Sequence, residues 1–136
     1  ENMAKTFANQ GLGTCSTSLK NVEPGDIISM NNAHVYIVLG KCKDGSLLII
    51  HSSPPGVKIS GTYDKFGNQN SQAVKMAQKI MNTYYTDWYN RYPDCTVDAS
   101  FTKDGNISLF HWNAKTLKND VKNKSLHHIV QSLFKE

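Results

Sequence analysis

The stretch HVYIVLGKCKDGSLLIIHSSPPGVKIS, residues 34–60, decides how this chain folds. His34-Val35-Tyr36-Ile37-Val38-Leu39 is apolar and rich in β-branched and aromatic residues, which fit a pleated, half-buried surface, and Gly40 closes it. Lys43-Asp44-Gly45-Ser46 carries the Asp-Gly pair that supplies the positive φ of a tight hairpin. Leu47-Leu48-Ile49-Ile50-His51 then returns as the antiparallel partner. Pro54-Pro55-Gly56 breaks the chain again, and Val57-Lys58-Ile59-Ser60 is the next strand. Upstream, Glu23-Pro24-Gly25-Asp26 has proline and glycine where a tight turn wants them, Ile27-Ile28-Ser29-Met30 is a short strand, and Asn31-Asn32 makes a second turn. Four short strands in succession predict an antiparallel meander curled into a small sheet.

The hydrophobic period changes over residues 71–90. Val74, Ala77, Ile80, Met81, Tyr84, Tyr85 and Trp88 recur at three-to-four spacing, with Ser71 as N-cap and Pro93 beyond the end, which predicts one amphipathic helix lying on the sheet. Tyr84, Tyr85, Trp88, Tyr89 and Tyr92 are expected to pack mostly in the core rather than to form a ligand platform. Leu126, Ile129, Val130, Leu133 and Phe134 predict a short last helix capped by Ser125. At the other end, Ala4 to Gln10 reads as the end of a helix stopped by Gly11 and Gly13, and Thr14 to Ser18 as loop. Ile107-Ser108-Leu109-Phe110 reads as a strand or an extended segment. The expected class is a single α+β domain over residues 1–136: a small antiparallel curled sheet, a packed amphipathic helix and a short C-terminal helix.

With 136 residues the chain is long enough to bury one core without staples. No apolar stretch is long enough to cross a bilayer as a helix. Glu1-Asn2-Met3-Ala4-Lys5 lacks the apolar run of a signal peptide, and a mature secreted protein would look the same. The net charge of +4 is modest and its lysines are scattered, so no nucleic-acid site is expected. Cys15, Cys42 and Cys95 include no CxxC pair, which excludes a zinc knuckle; one disulfide with one free thiol, or three free thiols, both fit.

The five histidines are the groups that titrate near neutral pH unaided. His127 and His128 are neighbours on a helix and do not face one another. His111, beside Trp112, has no local partner. His34 opens one apolar strand and His51 closes the next, so antiparallel pairing is expected to bring both to one end of the sheet, with a bulge absorbing the uneven spacing about the turn. With no third ligand and no HExxH, no metal is expected there. Two such imidazoles suit a base and its orienter, one taking a proton from a nucleophile while the other fixes its tautomer.

Leu19 to Ile28 with its Pro24-Gly25-Asp26 turn, Ala33-His34-Val35-Tyr36-Ile37-Val38-Leu39-Gly40, Ile50-His51-Ser52-Ser53 and Gly56-Val57 together resemble the central text of the NlpC family of papain-like bacterial cell-wall cysteine peptidases. The match covers residues 19–60; residues 71–136 are a helical extension beyond it. The resemblance implies that His34 is the catalytic base and His51 the polar orienter. It also implies that the substrate is the peptide stem of peptidoglycan, cut through an acyl-enzyme on cysteine without a cofactor, and that the protein is secreted or associated with a bacterial cell wall. The family's cysteine stands at a helix N-terminus well before the histidine, where the helix dipole lowers the thiol pKa. Cys15-Ser16-Thr17-Ser18 has no helical text behind it, and Cys42 lies in the hairpin. The nucleophile is therefore expected upstream of these residues. Two alternatives remain: a non-catalytic module of the same fold that binds wall peptide or a partner, and a permuted acyl-transfer enzyme using Cys95 in Pro93-Asp94-Cys95-Thr96.

Overall fold

The computed structural model describes residues 2–30, 33–99 and 107–113. Among the described residues the chain is α+β, with seven strands in an open, mostly antiparallel order and three helices. In sequence they are α1 (Met3–Asn9), β1 (Gly13–Ser16), β2 (Ile27–Met30), β3 (His34–Lys41), β4 (Leu47–Ser53), β5 (Gly56–Thr62), α2 (Gln72–Tyr84), α3 (Thr86–Arg91), a short 3₁₀ helix (Pro93–Thr96), β6 (Val97–Asp98) and β7 (Ile107–Trp112). The hydrogen-bonded order is β1-β7-β2-β3-β4-β5-β6. The chain forms two compact units that meet in sequence at Leu39 and Gly40, within β3.

The first unit contains residues 2–39 and 107–113. The Pro24-Gly25 turn forms as expected: Gly25 takes φ 91°, and its N–H donates to the Val38 carbonyl. It leads into β2, which pairs with β3 so that Met30 stands opposite His34 and Ile28 opposite Tyr36. On its other side β2 pairs with β7, Ile28 opposite Leu109 and Ile27 opposite Phe110. Residues 14–18 were expected as loop; Gly13–Ser16 is instead a strand, antiparallel to β7 with Cys15 opposite Phe110. Three of its four residues are exposed, so it lacks the alternation that marks a strand, and the free edge of β7 supplies what its own sequence does not. Helix α1 is capped by Asn2, whose side chain accepts from Lys5 N–H. It buries Ala4 against Ile27 and Phe110, with Phe7, Ala8, Leu12, Val35 and Trp112 closing the cluster.

The second unit, residues 40–99, is built on two hairpins. Gly45 takes φ 86° in the first, and Cys42 N–H donates to the Ser46 carbonyl across it. Strands β4 and β5 pair antiparallel, with His51 opposite Lys58 and Leu48 opposite Gly61; β6 adds to β5 in parallel. Helix α2 buries Ala73, Val74, Ala77 and Met81. Its N-terminus is tied down by side chains from three places. Gln72 N–H donates to Asp44, Ala73 N–H to the Ser46 hydroxyl, and Val74 N–H to Ser71, which is the expected cap. Strand β5 runs so close beneath this first turn that a Cβ on Gly61 would stand 2.1 Å from Val74 N. The helix expected over 71–90 is broken at Tyr85, where φ −137° and ψ 48° end α2, and α3 is a separate piece. No helix among the described residues is long and apolar enough to cross a membrane. The Asn31-Asn32 turn, the helix at Leu126–Phe134, and His127 and His128 fall outside the described residues.

Candidate functional site

In the second unit the chemistry gathers around His51. It lies on β4 and is only 7 % exposed. Across the ladder its direct partner is Lys58, and Ser60, two residues on along β5, lies on the same face. His51 Nε2 is 3.1 Å from Ser60 Oγ, and that hydroxyl donates to the Cys95 carbonyl at 2.9 Å. A hydroxyl has one proton. Once Ser60 spends it on Cys95, its oxygen can only accept from His51, so Nε2 carries the hydrogen. The Asp98 carboxylate, 3.9 Å from Nε2, favours the same tautomer. In the neutral ring Nδ1 then holds the lone pair.

Beside it Lys58 is buried as well, with its ammonium inside the β4–β5 hairpin. It donates to the Ser53 carbonyl at 2.8 Å and to the Ser53 hydroxyl at 2.5 Å, with the Pro54 and Gly56 carbonyls at 3.4 and 3.5 Å. Burial pulls Lys58 below the ordinary lysine range, and the neighbouring Cys95 and Asp98 pull it partly back. The four oxygens explain how a cation can sit there. Lys58 is a structural tie of the hairpin.

In the first unit His34 opens β3 as expected and is partly exposed. Its ring lies 4.6 Å from that of Tyr36, two residues along on the same face, and the Tyr36 hydroxyl lies 3.9 Å from Met30 Sδ. Register with β2 and this aromatic neighbour hold the imidazole on a rigid strand. No neighbour in sequence pairs with His111, yet it has a partner: Nδ1 lies 2.8 Å from Asp26 Oδ1. Asp26 is buried, and burial pushes its carboxyl above the ordinary range despite the Glu23 N–H and the His111 ring, which pull it down. The two residues are far apart in sequence and meet because β7 pairs with β2, a juxtaposition no local signal announces. Ser60, by contrast, could have been read from the Pro54-Pro55-Gly56 hairpin, whose register puts it diagonal to His51.

All three cysteines are free thiols. Cys15 is exposed on β1. Cys42 lies in the first hairpin of the second unit, where burial raises its thiol pKa and disfavours the thiolate. Cys95 lies in the 3₁₀ helix and offers Ser60 its backbone carbonyl. Among the described residues no three His, Cys, Asp or Glu side chains are gathered to hold a metal ion.

No family model, curated protein or solved structure matches the chain. The likeness to NlpC peptidases therefore stands on the quoted residues alone.

The aromatic segment corrects an expectation. Tyr84, Tyr85 and Tyr92 are 56, 36 and 40 % exposed, Trp88 and Tyr89 are half-buried, and α3 buries no residue at all. The break at Tyr85 is the cause. It ends the helical stripe that would have carried the later rings into the core.

Proposed function

We propose that this chain is the histidine-bearing part of a papain-like cysteine endopeptidase of NlpC type, secreted to a bacterial cell wall and acting on peptidoglycan stem peptides. The observation that carries the reading is His34: a partly exposed imidazole at the head of a register-locked strand, within the His34-Val35-Tyr36-Ile37-Val38-Leu39-Gly40 text. A base must be reachable by substrate and rigidly aimed, and this position offers both. His51 takes the role of orienter from the sequence resemblance.

In this reaction the cysteine thiol gives its proton to His34, and the thiolate attacks the carbonyl carbon of the stem amide. The amide C–N bond breaks as the imidazolium protonates the leaving amine. Water, deprotonated by the same imidazole, then hydrolyses the thioester. This reading takes its nucleophile from chain outside these residues, since Cys42 is disfavoured as a thiolate and Cys15 lies on a strand rather than at a helix N-terminus; Cys95, in the 3₁₀ helix, is the nucleophile of the permuted alternative.

The test uses the complete gene product and purified sacculi, with stem fragments followed by mass spectrometry. His34→Ala is expected to slow cleavage by about a thousandfold, within the range a positioned base contributes, while leaving the melting temperature unchanged. Cleavage at the wild-type rate by that variant would overturn the assignment. Retention on sacculi with no cleavage by the wild-type protein would favour the wall-binding module, a reading the exposed aromatic segment supports.

A further inference from the structure

We propose that Asp26, His111 and Thr14 of the first unit form an acyl-transfer site for small uncharged esters. His111 is its general base, Asp26 the residue that positions that base, and the Thr14 hydroxyl the nucleophile. The three stand level on adjacent strands. Thr14 of β1 is directly opposite His111 of β7, and the pairing of Ile27 with Phe110 puts Asp26 of β2 level with His111 on its other side. Opposed residues share a face of the sheet, with Cβ atoms about 5 Å apart, so carboxylate, imidazole and hydroxyl follow one another along one row.

Asp26 is buried and both its oxygens are engaged. Oδ1 lies 2.8 Å from His111 Nδ1, and Oδ2 accepts from Glu23 N–H at 2.8 Å. Both contacts favour the carboxylate over the acid. Nδ1 therefore carries the hydrogen, and the lone pair of the neutral ring is on Nε2. The His111 side chain is 36 % exposed, and Nε2 makes no hydrogen bond among the described residues. Thr14 is exposed too. A tie between β7 and the turn before β2 exists without this pair, since Trp112 Nε1–H donates to the Gly25 carbonyl at 2.9 Å. What the pair adds is an accessible base held by a buried carboxylate beside a hydroxyl, the arrangement in which an imidazole takes a hydroxyl proton.

The charges around the row select the substrate. A phosphoryl group needs cations, and the lysines among the described residues of the first unit, Lys5 and Lys20, lie outside β1, β2 and β7. An uncharged acyl carbonyl has no such need. In the reaction the Thr14 proton passes to His111 Nε2 and the hydroxyl oxygen attacks the carbonyl carbon. The ester C–O bond breaks as the imidazolium protonates the leaving oxygen. Water, deprotonated by the same ring, then hydrolyses the Thr14 ester.

The full chain incubated with p-nitrophenyl acetate tests this. Neutral hydroxylamine strips thioesters from the cysteines, and mass spectrometry of the digest then maps the remaining acetyl groups over time. O-acetylation of Thr14 is expected, slowed about a hundredfold by His111→Ala and restored by added imidazole. His111→Asn, whose amide still donates to Asp26, is expected to be as slow, which separates loss of the base from loss of the β2–β7 contact. Asp26→Asn is expected to slow the step about tenfold alone and not at all in the His111→Ala background, because Asp26 acts through the ring. Absence of acetyl on Thr14, a wild-type rate in either His111 variant, or additive effects of the Asp26 and His111 substitutions would overturn the assignment. The site uses neither His34, His51 nor a cysteine, so its failure leaves the cleavage test of the peptidase reading unaffected.

Discussion

At the residue scale, two buried polar contacts set what the side chains can do. Ser60 accepts from His51 and donates to Cys95, so Ser60→Ala leaves a buried Nε2–H and a carbonyl without that partner. The expected cost is about 2 kcal/mol, measured by urea denaturation. Asp26 offers a test in pH. Its carboxyl is raised above the ordinary value, so the folded chain holds that proton more tightly than the unfolded chain does. The stability tied to it is whole below the usual Asp pKa of about 3.9 and is lost as pH rises through the higher native value. Asp26→Asn, which keeps an acceptor for Glu23 N–H, is expected to flatten that part of the stability–pH curve. Urea midpoints measured from pH 3 upward check it.

At the scale of elements, the contact between β5 and α2 is the most demanding. Gly61→Ala would drive a methyl into the backbone at Ala73 and Val74 and is expected to cost about 3 kcal/mol. Ser71→Ala should cost less, about 1 kcal/mol, because Asp44 and Ser46 still hold the neighbouring N–H groups. Both are read from denaturation midpoints. These elements differ in how openly the sequence declared them. The Asp44-Gly45 and Pro24-Gly25 turns, the strands between them and the Ser71 cap were legible because each rests on local backbone chemistry. Strand β1 was not, since its polar residues become a strand only by finding β7. The break at Tyr85 was hidden too, as tyrosine is an ordinary helix residue and nothing nearby forces a stop. His34 was placed correctly at its strand head, whereas the Asp26–His111 pair depended on pairing across most of the chain.

At the scale of the molecule, the two units are made differently. The second is continuous in sequence, and the first is closed by β7, which lies between β1 and β2. A chain stopped at residue 106 would deprive β1 of its partner strand β7 and α1 of Phe110. Hydrogen exchange on that truncated chain is expected to show protection lost at Gly13–Ser16 and kept at β4 and β5. The same connectivity orders events on the ribosome. Phe7, Ile27 and Val35 leave the exit tunnel early, yet the strand that covers them is translated only after all of the second unit. The part made later can therefore fold sooner, and the N-terminal apolar residues must wait in water or under a chaperone until Phe110 emerges.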